Sequence, residues 1–205
     1  MTGERAMRLA VLASGRGSNL QAIMDAIASG QVRMELALVA SDQPGARALT
    51  RASDDGVPTD VVAISGDGPS DAEALLGCFE DHRVDVMALA GFMRILPAEF
   101  LAGFPGAVFN IHPSLLPAFP GLNAQEQALS YGVKVSGCTV HFVDEGVDTG
   151  PIILQAAVPV FDDDDEQSLS ERILRREHRI YPRALQLYAE GRVLRSGRKV
   201  RIIER

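Results

Sequence analysis

The sequence predicts an α/β protein: a doubly wound, mainly parallel sheet with an antiparallel carboxyl-terminal part. Three observations carry that prediction. Short apolar runs alternate with stretches of helical periodicity from Arg8 to Ile111. The run Val84 to Ala90 is almost wholly apolar, as expected of a strand covered by helices on both faces. Past Val135, two strand-like runs flank a short turn, which suits an antiparallel pair. The 205 residues are enough for one substantial core, and no linker or internal repeat divides them. The expectation is therefore a single domain over 1–205. It has a loose polar leader over 1–7, halves over 8–100 and 101–191, and a terminal hairpin over 192–205.

The elements follow in order. Arg8 to Ala13 is a strand that ends at Ser14-Gly15-Arg16-Gly17-Ser18-Asn19. Leu20, Ile23, Met24 and Ile27 then recur at helical spacing, and Gly30 stops the helix. Met34 to Ala40 is a second strand, Ala46 to Asp55 a helix, and Thr59 to Ile64 a third strand. After the loop Gly66 to Pro69, Ser70 and Glu73 have capping-box spacing for a helix to His82. A fourth strand, Val84 to Ala90, is followed by a short helix from Pro97 to Leu101 and a fifth strand from Ala107 to Ile111. Asn123 to Tyr131 is helical. Val135 to Val143 and Ile152 to Val160 form the antiparallel pair. Ser168 and Glu171 repeat the capping-box spacing before a helix with the apolar stripe Leu169, Ile173, Ile180, Ala184 and Tyr188. Pro182 should kink or split it. Val193 to Arg195 and Lys199 to Ile203 close the chain as a hairpin.

Composition excludes several classes. Apolar residues make up 46%, too many for a disordered chain. A net charge of −7 argues against a nucleic-acid partner. Cys78 and Cys138 fit no metal spacing and suggest no disulfide framework. No apolar run has transmembrane length and residues 1–7 lack a signal-peptide core, so a cytoplasmic protein without a membrane partner is expected.

Two stretches carry chemistry. The glycine-rich turn lies between a strand and a helix, so its backbone N–H groups and the helix dipole can hold a phosphate. Ser18 and Asn19 can add donors. Position 20 is Leu, not the third Gly of a dinucleotide fingerprint, and no P-loop lysine follows. A monophosphate fits better than NAD or ATP. A turn that only reverses the chain is the competing reading. The second stretch is Phe109-Asn110-Ile111-His112-Pro113-Ser114-Leu115-Leu116-Pro117. Asn110 and His112, two apart at a strand end, leave on the same side, and the prolines stiffen the exit. Alone, a His and an Asn in a Pro-rich loop are more often plain structure than chemistry. Of the other histidines, His82 is expected at the surface, His141 packed within a strand, and His178 in a structural or peripheral binding position. The acidic run Asp162 to Asp165 is expected to be a solvated loop. Beside the central motif, Phe92, Met93, Ile95 and Leu96 can line an apolar slot and Arg94 can hold a carboxylate, although core packing explains each one singly.

Together, LASGRGSNLQAI, ALAGFMRIL, FNIHPSLLPAFPG, VHFVDEGVDTGPIILQ and EHRIYP resemble the glycinamide ribonucleotide formyltransferases, folate-dependent enzymes of purine synthesis. The resemblance runs from about Arg8 to Gly191 and implies a Rossmann-like sheet of the formyltransferase type. It also implies that Asn110, His112 and Asp148 are the catalytic trio. By the same resemblance, Gly17, Ser18 and Asn19 bind the phosphate. Leu174, Arg175, Arg176 and Glu177 close over the ribose and phosphate. Met93, Arg94, Ile95, Leu96 and Asn110, with Asp144, Glu145, Gly146 and Val147, form the folate pocket. The first half then carries the phosphate site, and the second the catalytic and folate sites. A cis Leu116-Pro117 bond is implied too.

The chain departs from the family pattern in three places. No arginine stands near Gly68 to Asp71, Ala118 replaces a common basic residue, and Leu174 stands where a polar one occurs. The implied partners are glycinamide ribonucleotide and 10-formyltetrahydrofolate, with no metal, on a monomer or homodimer. The implied reaction is direct formyl transfer through a tetrahedral intermediate. Asn110 and protonated His112 donate to the oxyanion, and Asp148 raises the His112 pKa. A formyltetrahydrofolate hydrolase or methionyl-tRNA formyltransferase would need a further domain. A non-catalytic nucleotide-binding module leaves the trio unexplained.

Overall fold

The computed structural model of the protein describes residues 5–204. Its backbone falls into two compact units, Met1–Phe109 and Asn110–Arg205. In the first unit, β1 (Met7–Leu12), β2 (Met34–Ser41), β3 (Thr59–Val61), β4 (Val86–Leu89) and the start of β5 (Ala107–His112) alternate with four helices. These are α1 (Ser18–Ala28), α2 (Arg47–Asp54), α3 (Gly68–Asp81) and α4 (Ala98–Gly103). The strand order is β3-β2-β1-β4-β5, with β1 parallel to both β2 and β4, and β2 parallel to β3. β4 is buried along its whole length, as its apolar sequence requires. α1 turns Leu20, Ile23 and Met24 into the core. Phe79, Phe100 and Phe104 of the α3–α4 region pack ring against ring at 5.5–5.8 Å between centroids.

The second unit contains the end of β5, then α5 (Ala124–Tyr131), β6 (Val135–Phe142), β7 (Ile152–Pro159), α6 (Glu166–Ala189), β8 (Val193–Ser196) and β9 (Lys199–Ile202). Its sheet order is β5-β6-β7. β6 and β7 are antiparallel, and a register shift falls between Val140 and His141. α6 packs on β6 and β7, while β8 and β9 form a separate antiparallel pair. The expected mainly parallel α/β sheet with an antiparallel carboxyl-terminal part is present.

Local details differ from the sequence expectations for physical reasons. Residues 1–4 of the expected leader lie outside the described residues, while Arg5 is paired with Asp85 and Met7 already begins β1. β3 stops at Val61, because all three of its residues are exposed and supply little burial to extend it. α3 starts at Gly68, before the Ser70/Glu73 pair. Asp71 folds its carboxylate back onto Ser65 and Gly66 instead. α6 is capped by Asp165 reciprocally with Ser168, one box earlier than expected. Pro182 lies inside α6, which continues through it unsplit. The buried stripe of α6 runs through Leu169, Ile173, Glu177, Tyr181, Ala184 and Leu185, and Ile180 lies off it. The run Asp162 to Asp165 is only partly solvated. The Asp164 side chain is 3% exposed and receives a two-pronged Arg172 at 2.6 and 2.7 Å. Both cysteines are free. Among the described residues, no helix is long and apolar enough to cross a membrane.

Candidate active site

β5 presents Asn110 and His112 at its end, and the segment after it is held by β6 and β7 of the same unit. The Thr139 hydroxyl, fully buried, donates to the Ser114 carbonyl at 2.7 Å and accepts from Leu116 N–H at 3.0 Å. Gln155 of β7 donates to the Leu116 carbonyl at 2.9 Å and to Thr139 at 3.0 Å. The Leu116-Pro117 bond is cis, as the resemblance implied. So fixed, the segment aims the Phe119 carbonyl at His112 Nε2, at 2.8 Å, and Gly121 N–H at Asp148 Oδ2, also at 2.8 Å.

Asp148 is the hub of this cluster. Its Oδ2 also lies 3.2 Å from His112 Nδ1, and its Oδ1 lies 3.4 Å from Asn110 Nδ2 and 3.6 Å from His141 Nε2. Its backbone is left-handed, with φ at 55°, a conformation that Asp tolerates better than most residues. Gly150 lets the turn pack tightly: a Cβ there would stand 1.7 Å from the Phe142 carbonyl oxygen. The loop before it is braced by Asp144, whose Oδ1 accepts from Thr149 at 2.6 Å and from Gly146 N–H at 3.3 Å.

The electrostatics correct one expectation. Burial is the largest influence on His112 and holds its pKa below the usual 6.5. The Phe119 carbonyl and the Asp148 charge push the other way, and His141 adds to the lowering. The imidazole is therefore mainly neutral at pH 7, not held charged. Asp148 is also opposed by burial, but the neighbouring His141 ring, the Gly121 N–H and the His112 ring carry its pKa below 3.8, so it is ionised. A neutral ring can donate to only one of its two oxygen neighbours; a second proton completes both hydrogen bonds.

His141 is the residue that sequence reasoning missed. It is packed, as expected, but its Nε2 lies 3.3 Å from Asn110 Nδ2 and its Nδ1 is 2.8 Å from the Phe142 carbonyl. A donating Nδ1–H leaves Nε2 free to accept from Asn110. The register shift beside it re-aims the strand, and nothing in the periodicity of β6 signals that shift.

The other expected site residues are placed as follows. Gly17 caps α1 with φ at 71°, Ser18 is half-buried and Asn19 buried. Met93 and Ile95 are exposed, at 67% and 75%, whereas Leu96 is core. Arg94 holds a carboxylate of the protein itself, Asp42, at 3.1 Å. Glu145, Gly146 and Val147 are exposed. On α6, Arg175 and Arg176 face solvent, Leu174 is half-buried and Glu177 is buried. Burial first, and the Glu177 charge second, push the Cys138 thiol of β6 up to about 12. Among the described residues, no group of three or more His, Cys, Asp or Glu has the arrangement to hold a metal.

A mainly parallel α/β sheet with an acid–base cluster at a strand's carboxyl end is the frame of an α/β enzyme. The chain belongs to the formyl transferase family, whose model matches residues 7–185. It is 50% identical over 201 residues to the trifunctional purine biosynthetic protein adenosine-3 of Drosophila melanogaster, covering 96% of this chain but only 15% of that protein. To the phosphoribosylglycinamide formyltransferase of Escherichia coli (strain K12) it is 42% identical over 189 residues, covering 91% of this chain and 89% of that one. The crystal structure of glycinamide ribonucleotide transformylase 1 from Symbiobacterium toebii matches with a TM-score of 0.95 and 48% identity, covering both chains completely.

Proposed function

We propose that this protein transfers the formyl group of 10-formyltetrahydrofolate to the amine of glycinamide ribonucleotide in purine biosynthesis. The observation that carries this reading is the cluster of buried His112 with half-buried Asn110 and Asp148, in a chain whose relatives, matched along nearly their whole length, bear that activity in their names. The family draws its formyl group from a folate donor. The Gly17, Ser18 and Asn19 turn takes the phosphate, with Leu174 to Glu177 beside the ribose. Met93 to Leu96 and Asp144 to Val147 take the folate.

The amine attacks the formyl carbon and its lone pair becomes the new C–N bond, while the carbonyl electrons move onto oxygen. Asn110 Nδ2 and His112 Nε2 are the donors for that oxyanion, exchanging their present protein acceptors for it. The attacking nitrogen must lose a proton and the folate nitrogen must gain one. His112 is suited to this relay because it rests neutral: it takes up the proton beside ionised Asp148 and returns it as imidazolium. Collapse of the intermediate breaks the bond to folate and leaves the formyl amide. No side chain needs to be formylated.

The test mixes purified protein with both substrates and follows tetrahydrofolate and the formylated ribonucleotide. Ribonucleotide-dependent turnover is expected. Folate release at the same rate without ribonucleotide would replace transfer by hydrolysis, and no turnover would leave only a binding module.

A further inference from the structure

Asp42, Asp71 and Asp164 are nearly buried carboxylates outside the mechanism, and Asp42 stands nearest the glycine turn in the fold. Asp42 follows the end of β2, and its side chain is 3% exposed. β1 pairs with β2 on one side and β4 on the other, so the segments after these three strands emerge side by side. After β1 comes Ser14 and the glycine turn; after β4 come Gly91 and the segment to Leu96.

Hydrogen bonds join all three. Ser14 N–H donates to the Gly91 carbonyl at 3.1 Å, and Met93 N–H donates to the Ser14 hydroxyl at 2.9 Å. The Ser14 hydroxyl stands close enough to the Asp42 carboxylate to favour its charge. Arg94 Nε reaches Asp42 Oδ2 at 3.1 Å, and Gln43 Nε2 reaches the same oxygen at 2.8 Å. The segment after β4 is thus tied to both of its neighbours, to Ser14 through Gly91 and Met93 and to Asp42 through Arg94. With burial opposing its charge, Asp42 is kept ionised by these donors.

We propose that Asp42 is a positioning residue that holds the start of the phosphate turn and the Gly91–Leu96 segment in one hydrogen-bonded frame. One carboxylate thereby sets the geometry of two ligand-binding segments, neither of which it needs to touch through the ligand. The inference rests on the assignment of those segments to ribonucleotide and folate given above. It assigns Arg94 a structural partner inside the protein, and leaves Met93 and Ile95 as the side chains open to a ligand.

The test is calorimetric titration of the full chain with glycinamide ribonucleotide and, separately, with tetrahydrofolate. Asp42→Asn keeps the shape and removes the charge. It is expected to weaken both ligands by roughly fivefold, the worth of one net hydrogen bond, in a variant that loses a little stability but stays fully folded at the assay temperature. KM for both substrates rises while kcat at saturation is kept. Ser14→Ala gives the same double loss, and combining the two substitutions weakens binding no further than the worse one, because both act through one network. Wild-type affinity for either ligand in folded Asp42→Asn, a loss confined to kcat, or additive losses in the double variant would overturn the proposal. Gly17→Ala separates its failure from that of the underlying assignment. Loss of ribonucleotide alone supports the turn as the phosphate site, whereas full ribonucleotide affinity in that variant removes the assignment and the proposal with it.

Discussion

Asp148 Oδ2 and His112 Nδ1 lie 3.2 Å apart, with side chains only 10% and 6% exposed. The pair holds opposite tendencies in balance. Burial keeps the imidazole neutral, and the carboxylate draws a proton towards it. In a site shielded from water, the proton comes on most readily when the reaction supplies it.

Asp148→Asn should therefore lower the His112 pKa further and reduce turnover more than substrate binding. An NMR titration of His112 in both proteins measures the shift. In the wild type, the unfolded chain binds more protons than the folded one between the lowered His112 pKa and 6.5, so this group adds stability as pH rises through that window. A His112 pKa unmoved by Asp148→Asn would reduce Asp148 to a residue that shapes its loop.

Asn110→Ala should lower kcat by about 10²–10³-fold, the scale for losing one oxyanion donor. His141→Leu should have a milder effect, roughly five- to tenfold in kcat, since it removes the acceptor that orients the Asn110 amide and a ring beside Asp148, but no group that meets the oxyanion. Steady-state kinetics on both variants decides this. Normal kcat in His141→Leu would show that Asn110 orients itself.

Thr139→Val keeps the volume of a residue with no exposed surface, but leaves Leu116 N–H and Gln155 without their hydroxyl partner. A loss of about 1–3 kcal/mol is expected for buried polar groups left unpaired. Urea unfolding measures it. Turnover should fall as well, because Phe119 and Gly121 sit on the segment Thr139 anchors.

Gly17→Val should weaken ribonucleotide binding and lower stability, while tetrahydrofolate binding is largely kept. The cause lies inside the protein: a Cβ at Gly17 would stand 2.9 Å from the Ala48 side chain of α2, at a φ that side chains avoid by roughly 1 kcal/mol or more. Relief by Ala48→Gly in the double variant checks that α2 is the obstacle. Equal loss of both ligands would indicate general unfolding.

Much of this protein was legible in its sequence. Apolar runs with a period of two or none, set against runs with the helical period, determine strands and helices because burial dictates which residues can face inward. The same local rules located the glycine turn, and the alternation along β5 put Asn110 and His112 on one side. Tertiary structure decided the rest. His141 is an ordinary strand residue until a register shift turns it towards Asn110, and hydrogen-bond registers between strands leave no trace in periodicity. Thr139 and Gln155 become structural anchors only where folding brings distant backbone groups to them, and Asp42 only where it meets the Arg94 side chain. The pKa of His112 was misjudged for the same reason: sequence names the carboxylate that would raise it, but only the packed structure contains the burial that outweighs that charge.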